Sequence, residues 1–298
     1  MRKLIGLMAV VVLLVSGCGT KEKQADEPLK IGVMPAVDAA PIYVAAEKGY
    51  FKDEGIDVEV TLFTNAQDRQ SALQTGGIDG GMSDMIALIT NVQSGFEIKG
   101  TTMTDGMFPI LKQPESGESE VVSVAVMEVS VANYLADLWL GANYDLEKVY
   151  INEIPARLEM IKSGNVDMGV FPEPMATMGA LSGLEKVFYN SDEPCPDIFV
   201  FTQSAIDTKK ESIKAFHRAL DRAVMDLQLD DGIGRDLLIE KLNLNSEIRD
   251  LIEMPEYKKT NLPDDQYVIK MMNWTAQTIG KEINLDVDAI FEREFVNP

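Results

Sequence analysis

From Ile56 to Leu62 apolar and polar residues alternate, as in a strand with one buried face. Short apolar runs at 30–34, 78–82, 123–127, 149–152 and 166–171 read as further strands. Between them, segments 41–50, 68–75, 85–92, 131–140 and 157–162 carry helical spacing. Pro41 stands at a first turn and Gly49 near an end. Strand–helix–strand order predicts an α/β fold with mainly parallel sheets. After about residue 204 the chain reads as helices only. Ile213, Phe216, Leu220, Val224 and Leu227 mark one buried stripe within 209–230, and further helices are expected over 234–242, 246–253 and 264–281.

An internal echo organises this pattern. Residues 69–82 align without a gap on residues 157–170. Each stretch reads as an arginine (Arg69, Arg157), a helix, a glycine (Gly76, Gly164), a β-branched residue, an aspartate (Asp79, Asp167) and a strand containing glycine. The glycines suit the left-handed position that closes a helix, and the aspartates suit the turn into the strand. Two lobes built on related units are therefore expected. In open α/β sheets ligands bind beyond the C-terminal ends of parallel strands. Facing lobes would then wall a cleft with Met34–Asp38, Phe63–Asn65, Ser83–Asp84 and Thr104–Gly106 on one side. Glu128–Ser130, Asn152–Glu153 and Phe171–Pro174 would form the other side.

The ligand-binding candidates on these walls are Met34, Asp38, Asn65, Ser83, Asp84, Thr104, Asp105, Glu128, Ser130, Phe171 and Glu173. Asn65, Ser83 and Ser130 serve equally well as helix caps, and Asp38, Asp84 and Asp105 as turn formers. Arg69 and Arg157 sit near helix starts, where a cation needs an anionic partner, either a surface carboxylate or a ligand anion. Asp38, Asp84, Asp105, Glu128 and Glu173 outnumber those two cations. On that count a neutral or cationic nitrogen heterocycle is favoured over nitrate or a sulfonate.

The ends and the composition narrow the setting. Arg2 and Lys3 precede an apolar run, Leu4–Val15, that is too short to span a bilayer. It ends in Val15-Ser16-Gly17-Cys18, which reads as an export signal over 1–17 with Cys18 as the lipidated residue. Residues 18–28 read as a polar tether. The formal charge of −21 disfavours nucleic acid, which is bound through Lys and Arg. With Cys18 acylated, Cys195 has no disulfide partner and reads as a packing residue. The single histidine, His217, is expected on a surface helix. No catalytic residue, metal site or cofactor is expected, because no nucleophile–base set and no His/Cys cluster is present.

The stretch Ala40-Pro-Ile-Tyr-Val-Ala-Ala-Glu-Lys-Gly49-Tyr-Phe-Lys-Asp-Glu-Gly55-Ile-Asp-Val58 resembles the opening of the nitrate/sulfonate/taurine and thiamine-pyrimidine precursor binding proteins. Residues 76–83 resemble that family's second block, and 154–174 its second-lobe block. The resemblance covers about residues 29–205, and the C-terminal helices only loosely. It implies a type II periplasmic binding protein, with two α/β lobes that close over a ligand. It further implies a monomer that delivers its solute to an ABC permease and its ATPase at the outer face of the membrane. The lobes are expected over 29–112 with 205–298, and over 113–204, with the C-terminal helices packing on the first. Two departures stand out. The acidic run Gln113–Glu120 replaces the basic linker usual before the second lobe. The cysteine-rich motif of the pyrimidine-making eukaryotic branch is missing, so that activity is not carried over. A sensory receptor of the same fold would share the same sequence features, and an extracellular enzyme is the third reading.

Overall fold

The structure is a computed structural model that describes residues 27–114, 116, 119–189 and 195–296. The leader and Cys18 lie outside the described residues. Among the described residues no helix is long and apolar enough to cross a membrane.

The first sheet opens with β1 (Leu29–Val33), β2 (Val58–Leu62) and β3 (Gly80–Asp84), all parallel. Helices α1 (Ala40–Glu47), α2 (Tyr50–Asp53) and α3 (Ala66–Gln74) connect them. Then α4 (Met85–Gln93) leads to β4 (Ile98–Met103), from which the chain crosses over. The second sheet receives it as β5 (Ile110–Lys112) and continues with β6 (Val121–Val126), α5 (Val131–Leu140) and β7 (Asp145–Tyr150). Helix α6 (Ile154–Lys162), β8 (Met168–Val170), α7 (Met175–Leu181) and β9 (Glu185–Val187) complete it. A second crossover returns the chain to the first sheet as β10 (Asp197–Thr202).

The strand orders are β2-β1-β3-β10-β4 and β7-β6-β8-β5-β9, the same topology twice. In each sheet the strand that follows a crossover is the antiparallel one, β10 between β3 and β4, and β5 between β8 and β9. This moves both expected lobe boundaries. Residues 110–112 belong to the second sheet and 197–202 to the first, because each strand pairs with the sheet it enters.

The internal echo has a structural basis. Gly76 and Gly164 both have φ of +71°, the left-handed conformation that a side chain would strain. Asp79 accepts the Lys30 backbone N–H of β1 at 2.8 Å, and Asp167 accepts that of Ser123 in β6 at 2.8 Å. Each aspartate thus staples its strand to the central neighbour, and the sequence reading of a turn former understated its reach.

The C-terminal part buries the expected stripe. Helix α8 (Gln203–Leu229) lays Ile213, Phe216, Leu220, Val224 and Leu227 against α1 and α2. Phe216 stacks on Phe51 at 5.5 Å. Helix α9 (Gly232–Lys241) also covers α1, and α10 (Asp265–Ile279) packs on α4. The helix expected over 246–253 is a 3-10 turn at Ser246–Leu251.

His217 corrects its sequence reading: it is fully buried, between Phe201, Phe216 and Phe295. Neither ring nitrogen has a hydrogen-bond partner among the described residues. Burial depresses its pKa from 6.5 to about 3. The unfolded imidazole takes up a proton near pH 6.5 and the folded one only near 3. Its contribution is therefore complete above pH 6.5 and is lost as pH falls between those values. By about pH 4 the loss amounts to about 3 kcal/mol. Urea unfolding at a series of pH values should show His217→Leu flattening this dependence. An unchanged slope would assign the acid sensitivity to other groups.

Candidate functional site

The C-terminal ends of the parallel strands of both sheets face one cleft, a cavity of about 110 Å³. Of the expected residues, Met34, Asp38, Asn65, Ser83, Asp84 and Ser130 line it. Asn152 does so from the second lobe.

Three of these are held as helix caps. Asn65 Oδ1 accepts the Asp68 N–H at 2.8 Å and Asp84 Oδ1 accepts the Ala87 N–H at 2.8 Å. The cap of α4 is thus Asp84 and not Ser83. The Ser130 hydroxyl donates to the Met127 carbonyl at 2.7 Å and caps α5 more loosely, at 3.3 Å from the Asn133 nitrogen.

The other five expected contacts do not line the cleft. Thr104 stands behind it and donates to Asp38 Oδ2 at 2.9 Å. Asp105 turns to the C-terminal segment and accepts the Lys258 N–H at 2.7 Å. Glu128 is solvent-exposed. Phe171 is fully buried beneath the Arg157 guanidinium, 5.7 Å from its ring centre. It supports that side chain and leaves the ligand space to it. The Glu173 carboxylate is also fully buried. It pairs with Lys186 Nζ at 2.7 Å and takes the Thr177 hydroxyl at 3.0 Å. Its backbone links the lobes: the Glu173 N–H donates to the Met107 carbonyl, and Val37 donates to the Glu173 carbonyl at 3.0 Å. Three of the five acids counted from sequence are therefore absent from the cleft lining. Nearer neighbours hold Asp105 and Glu173, and Glu128 faces solvent.

The arginines of the internal echo both reach the cleft, Arg69 from α3 and Arg157 from the first turn of α6. Each is about 95% buried, at 5% and 4% exposure. Arg69 Nε and Arg157 Nε and Nη1 have no hydrogen-bond partner among the described residues. Burial lowers both pKa values, that of Arg157 to about 10. At neutral pH both remain cations, and buried donors without partners are costly. The echo had located them, but its neighbours could not say whether they faced carboxylates or empty space.

One acid was missed. Asp197, the first residue of β10, lines the cleft and lies opposite Asp84 in the antiparallel register. The first-lobe wall thus gathers Asp38, Asp84 and Asp197 around Arg69. Burial raises Asp38 to about 6 and raises Asp84. Asp197 is pushed well above the carboxylate range, first by burial and then by Asp38 and Asp84. The only sequence signal was the acid two residues after Cys195 at the end of a Pro-rich turn. The cleft is therefore polarised, with acids on the first lobe and Arg157 on the second.

Residues 22–107 match the NMT1-like family. The yeast protein 4-amino-5-hydroxymethyl-2-methylpyrimidine phosphate synthase THI11 (Saccharomyces cerevisiae) is 34% identical over 58 residues, 20% of this chain. That match spans 17% of the length of the yeast protein. Among solved structures, the ligand-binding component of an ABC-type import system from Staphylococcus aureus, with zinc bound, superposes with a TM-score of 0.77 at 16% identity. It covers 90% of this chain and 97% of its own. The chain has the periplasmic binding protein fold. The alkanesulfonate-binding protein SsuA from Xanthomonas axonopodis pv. citri, bound to MOPS, gives a TM-score of 0.71 at 15% identity, covering 89% and 98%.

The Glu173 assignment is open to test. Lys186→Met leaves a buried carboxylate without its cation, which costs about 3–5 kcal/mol. Urea unfolding should show that loss. A variant as stable as the parent would mean that Glu173 does not depend on the pair and is free to serve a ligand.

Proposed function

We propose that this protein is the extracytoplasmic solute-binding component of an ABC importer. It is held to the membrane by lipid on Cys18, and it captures a small polar molecule that carries both an amine-type donor and an anionic group. The supporting observation is the pair of buried guanidinium groups, Arg69 and Arg157, with donors unused at equivalent positions of two lobes. A ligand anion would use them with charge-assisted hydrogen bonds. The carboxyls of Asp38, Asp84 and Asp197, beside Arg69 and across the cleft from Arg157, call for donors. The charge count that favoured a neutral or cationic heterocycle included three acids that lie elsewhere, so an anionic group joins the ligand. Phosphorylated amino-pyrimidines and amino sulfonates meet both demands, whereas nitrate meets one.

The likeness to ligand-binding components of import systems supports binding and release over turnover. The yeast synthase shares only a fifth of this chain. Closure of two lobes over a solute gives a permease a distinct shape to recognise. A sensory receptor is the second reading, since it would use the same cleft and a different membrane partner.

A thermal-shift panel of phosphorylated and free amino-pyrimidines, amino sulfonates, alkyl sulfonates and nitrate tests the ligand. At a hundredfold excess over the dissociation constant, binding adds roughly 2.7 kcal/mol to stability, so a true ligand raises the melting temperature by several degrees. Arg157→Ala should weaken the responding compound at least tenfold, because it removes donors that only the ligand uses. A panel in which only plain cations respond would refute the anionic half. For the anchor, Cys18→Ala should move the protein from the membrane fraction to the soluble one. Equal retention of parent and variant would refute lipidation at this residue.

A further inference from the structure

The first-lobe wall brings three carboxyls together with one guanidinium. Asp84 and Asp197 are directly opposed on antiparallel strands, a pairing that sets side chains on one face with Cβ atoms about 5 Å apart. Both are buried, at 9% and 5% exposure. Asp38 enters the same space from the turn after β1, fixed by the Thr104 hydroxyl. Like charges so placed cannot all ionise cheaply away from water.

Asp197 is held in place from behind. Cys195 Sγ–H donates to its Oδ2 at 3.4 Å. Gly106 leaves the room that this oxygen occupies, since a methyl group there would overlap Oδ2 and crowd Cys195 Sγ at 3.2 Å. The Asp197 carbonyl accepts the Thr104 N–H at 3.1 Å, so both crossovers meet at this residue. The charged and titratable groups around it are Asp38 from the β1 turn, Arg69 from α3, Asp84 at the end of β3 and Cys195 beside it. Arg157 faces the cleft from α6 on the other lobe, and Asp105 stands behind Asp38.

We propose that Asp197 carries a proton when no solute is bound and is the residue that reads the amine end of the solute. A ligand ammonium takes the place of that proton, which leaves to solvent as the carboxylate forms. The O–H bond of Asp197 breaks, a charge-assisted N–H···O bond replaces it, and the wall keeps its net charge. A purely anionic solute leaves the proton where it is. Selection for amine-bearing solutes then strengthens as pH rises. This rests on the binding-protein reading of the cleft, but its core is a property of the protein without ligand.

The test is carbon-13 NMR of the aspartate carboxyls in the purified protein over a pH series. One aspartate is expected to stay protonated through neutral pH, and its signal should vanish in Asp197→Asn. Asp84→Asn removes a negative neighbour and should lower the pH at which the retained proton leaves. It gives the same answer should Asp197→Asn fail to fold. Every carboxyl ionised by pH 6, or a retained proton that survives Asp197→Asn, overturns the proposal. So does an Asp84→Asn variant with an unchanged titration. Methylammonium chloride against potassium chloride at equal ionic strength probes the amine half. Methylammonium should lower the pH of proton loss, and equal titrations in the two salts overturn that half. A ligand panel without any response would count against the transport reading and leave this titration standing.

Discussion

A chain that passes twice between two parallel sheets meets a directional constraint. The crossovers lie at the C-terminal ends of the parallel strands, so a strand arriving there must run the opposite way. β5 and β10 are those strands, and each inserts between the third and last strands of its new sheet. This has two consequences. Each sheet is completed by a strand contributed across a crossover, and one buried apolar cluster, with Ile86 and Ile198 of the first lobe and Val124 and Val170 of the second, runs through both. The first residue of the arriving strand also lands among the strand ends that form the cleft. Asp197 is there for that reason, and it joins crossover and cleft wall in one residue.

The cleft is costly for the folded protein. Two guanidinium groups and three carboxyls are withdrawn from water, and several of their polar atoms have no partner among the described residues. Isolated buried charges carry a desolvation penalty that the first lobe offsets in part by gathering acids around Arg69. Arg157 lies against the Phe171 face and feels the more distant charge of Glu153. On the binding-protein reading, a ligand that pairs with these groups would offset the cost. Glu173, equally buried, has a lysine and a threonine as partners, and its backbone joins the two lobes.

The remainder of the first lobe is organised by apolar packing. The aromatic group of Phe51, Phe199, Phe201 and Phe216 binds α8 to the sheet and encloses His217. Close approach within the sheet depends on glycines. A methyl group on Gly80 would lie 2.6 Å from the Val200 carbonyl, so β10 could not sit beside β3 with any larger residue at that position. The glycines of the echo thus serve helix closure at one end and strand packing at the other.

The order of elements, the two related lobes and the stripe of α8 were legible in the sequence, because periodicity and glycine placement are local properties. The opening block 40–58 carried the family resemblance for the same reason. Of the site, the sequence located the strand-end loops and so Met34, Asp38, Asn65, Ser83, Asp84 and Ser130 on the cleft. It could not tell which side chains on those loops would be captured by closer partners. Lys258, Phe171 and Lys186 lie 153, 14 and 13 residues from Asp105, Arg157 and Glu173, and their contacts exist only once each lobe has folded. Asp197 escaped a rule that counts the ends of parallel strands, since it begins an antiparallel one. The chain's local chemistry determined which segments could form a site. Tertiary packing decided the charge of that site, because burial and long-range pairing set which ionisable groups face the ligand and which protons they keep.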